Sequence, residues 1–468
     1  MNISTFKNIL LSLIFILFSI FFSFINYNFF LFSFLLSYSV FLYVIFKNYG
    51  LNSLFFLFFL FFGLYTFSVP LSIYFGFDIG KYREKYLPVW AIQDSTLFHY
   101  TLSSFLFYIS FFITYLFNNV KRDFINTNYK KNDNKNYLYL SYISIFITFI
   151  FELINFIRVG GFKALHEGKT FYQSAVNNLS FTLPSEGFFY ISIVFFFLLF
   201  KELKNKFFYL YIFLITSFFY LYINIYIGER GVILFSLIYI FISFTFYKII
   251  KQIKIRYIFL VFIIFISLTY ITAYRSIYQV KKDKTTFIEV NKYFFKKKLF
   301  FYINPSNTEF GAPCLIYRAF IYYNKNYDNY YYGLTYFYFI PNSIPTYILP
   351  LRVNNLEKEM VHKYFVDRDK GSIAGLGYSA LLESYINFWY IGPLILGFLL
   401  SLIIKYFEYK KYNNILYSSL YIISVLPLLL IFRSSSTFIL SSFFLLIIQF
   451  LIVYIIYKFL LYFSNRSI

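Results

Sequence analysis

Five arginines lie at or near the ends of apolar runs or in the one long hydrophilic segment: Arg230, Arg275, Arg318, Arg352 and Arg433. Arg230 lies in the turn Gly228-Glu229-Arg230-Gly231, and Arg433 in Arg433-Ser434-Ser435-Ser436, each between two long apolar runs. A guanidinium is a planar fork of donors that bonds phosphate oxygens in pairs, with charge assistance. A lone arginine beside an apolar run can also snorkel to lipid headgroups. Two of them in very short turns, on the side of the chain poorer in basic residues, favour an anion site.

Glu383 is the carboxylate of most interest. It lies in Gly375-Leu376-Gly377-Tyr378-Ser379-Ala380-Leu381-Leu382-Glu383-Ser384-Tyr385-Ile386-Asn387, at the start of an apolar run. Helical spacing puts Ser379, Glu383 and Asn387 on one face. A carboxylate carried into a bilayer is costly, which marks a functional site; the alternative is a helix-end residue paired with a nearby arginine. Glu186 follows Pro184-Ser185 and reads as an acid favoured at a helix N-terminus. Glu229 and Glu309 are weaker acids of the same kind, and His362 sits in a charged, solvated stretch.

Other chemistries find little support. One cysteine, Cys314, forms neither an internal disulfide nor a multi-thiolate metal site, and three histidines (His99, His166, His362) make no metal cage. Asp367-Arg368-Asp369 has the Asp-x-Asp spacing of metal and nucleotide sites, but it lies in a mixed-charge run on a face where nucleotide sugars are not supplied. No Gly-rich Lys-Ser/Thr phosphate loop is present. No metal and no cofactor are expected.

The elements that position these residues are membrane helices. The chain has 468 residues, 60% of them hydrophobic and 13% charged, with 73 Phe and 52 Tyr. Soluble domains carry about 25% charged residues. Apolar runs near 8–25, 28–46, 51–69, 97–117, 137–157, 181–200, 207–227, 232–247, 257–274, 381–404, 415–432 and 437–457 are long enough to span hydrocarbon. The expected fold is all-α: a polytopic membrane protein with about 12 transmembrane helices and one large external loop. Residues 1–274 hold the first nine spans, 275–380 the loop, and 381–468 the last three. No cleavage site of small residues follows the first run, so it reads as a retained helix.

Orientation follows from lysine and arginine. Lys47; Lys121, Arg122, Lys130, Lys131 and Lys135; Lys201, Lys204 and Lys206; Lys248, Lys251, Lys254 and Arg256; Lys405, Lys410 and Lys411; and Lys458 all fall on alternate connections. That set is cytoplasmic by the positive-inside rule, and so are both termini. The net charge of +22 is thus an orientation signal, not a sign of nucleic acid. In the loop, Pro341, Pro345 and Pro350 break helices, and Tyr330–Leu349 suits the membrane interface or a re-entrant hairpin.

The stretch from Phe339-Ile340-Pro341 to Gly392 resembles the bacterial O-antigen and capsule repeat-unit polymerases of the Wzy family. That family has a proline-punctuated loop followed by a Gly-x-Gly-x-Ser-x-x-x-Glu-x-Tyr-x-Asn-Phe-Gly-like signature. Here it reads Gly375, Gly377, Ser379, Glu383, Tyr385, Asn387 and Phe388, with Trp389 in place of the last glycine. The late external loop, the Gly-x-Arg turn at Arg230 and the Arg-Ser-Ser turn at Arg433 are similar too. The resemblance implies transfer of a polyprenyl-diphosphate-linked glycan onto the terminal hydroxyl of a second lipid-linked repeat unit at the outer face of the bacterial inner membrane. It implies Arg230, Arg275, Arg318 and Arg433 on the diphosphate, Glu383 as base or sugar-positioning group, and a chain-length regulator and a flippase as partners. Arg275 and Arg318 rest on location alone.

Three rival readings compete, one of them a transporter. An O-antigen ligase would carry a His-Asn/Ser/Gln pair and spaced glycines in its loop, but Lys363 follows His362 and the glycines do not fit. A flippase would show two-fold organisation, and no internal repeat is visible. A glycosyltransferase using polyprenyl-phosphate sugars would place its acid in the first external loop, where Asp78 and Glu84 lie.

Overall fold

Runs of Phe, Leu and Ile can enter hydrocarbon only with their backbone groups bonded internally, and the helix does this within one segment. In the computed structural model the described residues are 3–50, 53–75, 94–117, 134–166, 175, 183–199, 206–227, 230–246, 311–323, 331–338, 340–341, 378–411, 413 and 415–464, and all their regular structure is helical. The first four helices are α1 (Ile3–Ser23), α2 (Tyr27–Tyr49), α3 (Leu54–Tyr74) and α4 (Asp94–Phe117). Then come α5 (Asn134–Val159), α6 (Gly161–His166), α7 (Ser185–Leu199), α8 (Lys206–Ile227) and α9 (Arg230–Phe246). After them stand α10 (Ala312–Tyr323), a 3₁₀ turn (Leu334–Tyr338), α11 (Ala380–Phe388), α12 (Ile391–Lys410), α13 (Ile415–Leu430) and α14 (Ser436–Ser464).

Seven of the described helices are long and apolar enough to cross a membrane, and shorter apolar helices accompany them at Ser185–Leu198, Leu210–Asn224 and Leu416–Leu430. The chain is a multi-pass membrane protein. A helix covers each expected span except that at 257–274, which lies outside the described residues. Local chemistry sets the ends: the Asn26 side chain accepts from the N–H groups of Asn28 and Phe29 to start α2, and Gly50, at φ 81°, ends it.

The span expected at 381–404 is broken. α11 stops at Phe388, Trp389 adopts φ 53°, and α12 begins at Ile391. Pro393 supplies the reason: it has no N–H for a continuing helix, and its ring would clash with the carbonyl one turn back. Gly392 lets the two pieces fold together, since a Cβ there would lie 1.8 Å from the Ser384 carbonyl oxygen.

The core is aromatic. Phe34, Phe41, Phe58, Phe59, Phe62, Phe107, Tyr108, Phe111 and Phe432 bring α2, α3, α4 and the turn after α13 together, with rings such as Phe59 and Phe111 4.7 Å apart. α1 packs on α2, α12 on α4, and α5 on α7. α13 joins the two halves, touching α3 and α12 on one side and α7, α9 and α14 on the other; residues 421–429 of it are all buried.

A buried lock fixes one end of the bundle. Glu408 Oε1, near the end of α12, accepts from the Leu54 N–H at 2.6 Å and the Tyr421 hydroxyl at 2.8 Å, and Lys411 pairs with its other oxygen at 2.5 Å. The start of α3, the start of α13 and the end of α12 therefore share one end, and chain direction puts Ile3 and the end of α14 there too. The opposite end carries the Arg433 turn. The lock had no signal in the sequence beyond an acid and a lysine one helical turn apart.

Candidate functional site

At the Arg433 end, α13 closes in a tight turn. The Arg433 and Ser434 N–H groups both donate to the Leu430 carbonyl, at 2.9 and 3.0 Å, and Arg433 is half-buried. Arg230 is the first residue of α9, which packs antiparallel on α13. The Tyr239 hydroxyl donates to the Ile423 carbonyl at 3.1 Å and sets the relative depth of the two helices. From Tyr239 back to Arg230 the helix rises roughly 13 Å, and from Ile423 to Leu430 roughly 10 Å, before the Arg433 turn. The backbone thus brings Arg230 and Arg433 to the same end of one helix pair.

The Glu383 region adjoins that turn. The Ala380 N–H donates to the Ile431 carbonyl at 3.0 Å, tying the start of α11 to the segment that carries Arg433. Ser379 caps α11, its hydroxyl accepting from the Leu382 N–H at 3.2 Å. Glu383 is 1% exposed, and its Oε1 accepts from the Thr335 hydroxyl at 2.9 Å. Asn387 donates to that same hydroxyl oxygen at 2.6 Å and to the Glu383 carbonyl at 2.9 Å, and accepts from the Gly333 N–H at 2.8 Å. The Tyr332 N–H donates to the Asn387 carbonyl at 3.2 Å. Together these bonds fasten the turn at 331–338 to α11. Burial, and then the charge of Glu383, push the Tyr336 phenol above its ordinary range, so it stays protonated.

Arg318 lies on α10, inside the bundle and fully buried, where its Nε donates to Thr96 Oγ1 at 3.1 Å. α10 is lodged against α3 and α4. Its neighbour Tyr317 bonds Ser103 at 2.5 Å, and its ring lies 5.4 Å from that of Tyr385 on α11. Burial pushes the Cys314 thiol up to about 12, although the Arg318 charge pulls the other way. The described parts of the expected external loop are therefore folded into the helices.

Arg275, Arg352, Glu229, Glu309, His362, Asp367, Asp369, Asp78 and Glu84 lie outside the described residues. Among the described residues no three His, Cys, Asp or Glu side chains gather as a metal site. Sequence reasoning missed Thr335, which sits far from Glu383 along the chain and carries no local signal. It also left a second polar group unassembled. Ser185 donates to Glu152 Oε2 at 2.7 Å, Tyr190 to Glu186 Oε1 at 2.6 Å, Asn155 pairs with the backbone of Leu183, and Gln449 donates to the Pro184 carbonyl at 2.9 Å.

The family model of the O-antigen polysaccharide polymerase Wzy matches residues 6–466. The chain belongs to the Wzy family. No curated protein and no solved structure matches it. As a Wzy polymerase it joins O-antigen repeat units, a glycosyl-transferring reaction on lipid-linked oligosaccharides. The helices, the Arg230–Arg433 end and the Glu383 network all lie inside the matched region.

Proposed function

We propose that this Wzy polymerase transfers a growing glycan from polyprenyl diphosphate onto the terminal hydroxyl of one lipid-linked repeat unit, at the outer face of the bacterial inner membrane. The observation that carries the site is the convergence of Arg230 and Arg433 on one end of the α9–α13 pair. Charge grows on the diphosphate as the glycosidic bond breaks, and preorganised guanidinium groups stabilise that charge. The bond from the anomeric carbon to the diphosphate oxygen breaks, its electrons leave with polyprenyl diphosphate, and the acceptor oxygen takes its place. Arg275 is a further diphosphate ligand in this reading. Arg318, buried beside Thr96, supports the site from within α10.

Glu383 serves as a positioning residue. A carboxylate that is 1% exposed and bonded by Thr335 is poorly placed to receive a proton from substrate, but well placed to hold the 331–338 turn beside the Arg433 turn. In this reading residues 275–380 form the external segment between the membrane domains 1–274 and 381–468. Both termini lie in the cytoplasm, and a flippase and a chain-length regulator act beside the enzyme.

Deleting the gene and resolving surface glycan on a gel tests the reading. A polymerase defect leaves the core carrying a single repeat unit. Bare core without any repeat would identify a ligase and overturn the proposal.

A further inference from the structure

With Glu383 committed to the loop, the acceptor hydroxyl still needs a group to take its proton. The first turn of α7 offers one. Glu186 is exposed, yet it stands on a face of α7 that looks into the bundle: Tyr190, one turn along, donates to its Oε1 at 2.6 Å and sets its ring, tilted by 46°, 5.1 Å from that of Tyr239 of α9. The carboxylate is thus accessible on the side of α7 that faces α9. Tyr190 and Tyr239 lie at one depth, so α7 rises one turn from there to Glu186 while α9 rises roughly 13 Å to Arg230. The Arg230 backbone therefore stands about 7 Å above Glu186 on the neighbouring helix. An anion held at that height leaves Glu186 one level below it, where a hydroxyl of a lipid-linked glycan can reach.

A second observation points to a ligand rich in donors. Gln449 of α14 is 2% exposed and lies across the same turn of α7. Its Nε2 donates to the Pro184 carbonyl, which fixes the orientation of the amide, and its Oε1 receives no hydrogen bond. That oxygen lies over Gly187, where an added Cβ would sit 1.8 Å from it. Glu152, 8% exposed, completes the turn through Ser185. Carboxylate and amide oxygens are acceptors, and a sugar offers several hydroxyl donors.

We infer that the first turn of α7 is the acceptor-sugar subsite and that Glu186 is the catalytic base of chain extension. This rests on the polymerase reading above. The acceptor O–H gives its proton to the Glu186 carboxylate as the acceptor oxygen bonds to the anomeric carbon and polyprenyl diphosphate departs with its electron pair. Gln449 and Glu152 hold the turn and its acceptors in place.

The test uses the full chain in detergent or nanodiscs, with lipid-linked repeat units as both donor and acceptor. Glu186→Gln is expected to lower kcat by about 10²-fold, with the acceptor KM changed less than the turnover, while Glu186→Asp keeps a larger share of the rate than Glu186→Gln. Gly187→Ala, which forces Gln449 away, is expected to raise the acceptor KM. Near wild-type kcat in Glu186→Gln, or a loss confined to KM, overturns the inference. Equal losses in the Gln and Asp variants also overturn it. Wild-type protein that makes no polymer from these units would instead sink the polymerase reading itself, so the two failures are distinguishable.

Discussion

At the scale of single residues, geometry divides the charged groups by task. Arg230 and Arg433 share the end of one helix pair, whereas Glu383 is buried in a network with Thr335 and Asn387. Guanidinium groups that act on a developing anion are expected to tolerate replacement poorly. Arg230→Ala and Arg433→Ala should each reduce polymer formation by about 10²-fold or more. Lysine at either position should restore part of it, since charge returns without the bidentate fork. Quantifying chain length on gels after complementation with each variant checks this; undiminished long chains from both alanine variants would refute the diphosphate role. For the network, Thr335→Val removes the hydroxyl that bonds Glu383 and leaves buried acceptors and donors unmatched. The expected loss is about 1–3 kcal/mol of stability, measurable as a lower melting temperature in detergent. The spacing of Ser379, Glu383 and Asn387 made their common helix legible in the sequence. Thr335 was not legible, because a hydrogen bond across the fold leaves no periodic trace.

At the scale of elements, close backbone approach decides where helices meet. Gly397 of α12 faces the Phe107 carbonyl of α4, and a Cβ there would lie 2.4 Å from that oxygen. The Ser110 hydroxyl donates to the Leu394 carbonyl at 2.6 Å across the same contact. Glycine is scarce in this chain, so small-residue packing looks unimportant in the composition, yet Gly392 and Gly397 serve it at two adjacent places. Gly397→Ala should force α12 from α4 and cost about 1–3 kcal/mol; an unchanged melting temperature would show that the interface yields freely. The break between α11 and α12 was written in Gly392-Pro393, but the apolar run on both sides disguised it as one span. Hydropathy counts side chains and is blind to where a helix changes direction.

At the scale of the whole molecule, α13 is a central link among the described helices. α13 lies between the two groups of helices, and its outward turn carries Arg433 while its other end meets the Glu408 lock. Removing the lock with Glu408→Ala would take from Tyr421 and Leu54 the carboxylate that both donate to, leaving the Leu54 N–H only the Tyr421 oxygen, so the effect should spread to α3 and α13 together. The shared end of Ile3 and the close of α14 agrees with the alternation of basic residues along the chain. A fluorescent-protein fusion at the C-terminus is therefore expected to fluoresce in the bacterial cytoplasm, and a phosphatase fusion there to be inactive. The reverse pattern would invert the orientation and move Arg230 and Arg433 to the cytoplasmic face.

The sequence by itself determined the class of molecule, the run of membrane helices, the family resemblance and the two arginine turns. Those are local properties: hydrophobic length, charge between spans and short motifs survive in one dimension. Only the tertiary structure decided which carboxylate is buried and which is open. Glu383 and Glu186 both lie in the first turn of a helix, and their neighbours along the chain do not say which of them is covered. Burial depends on what packs against a residue. Thr335 and the 331–338 turn close over Glu383, while Glu186 is left exposed in the first turn of α7.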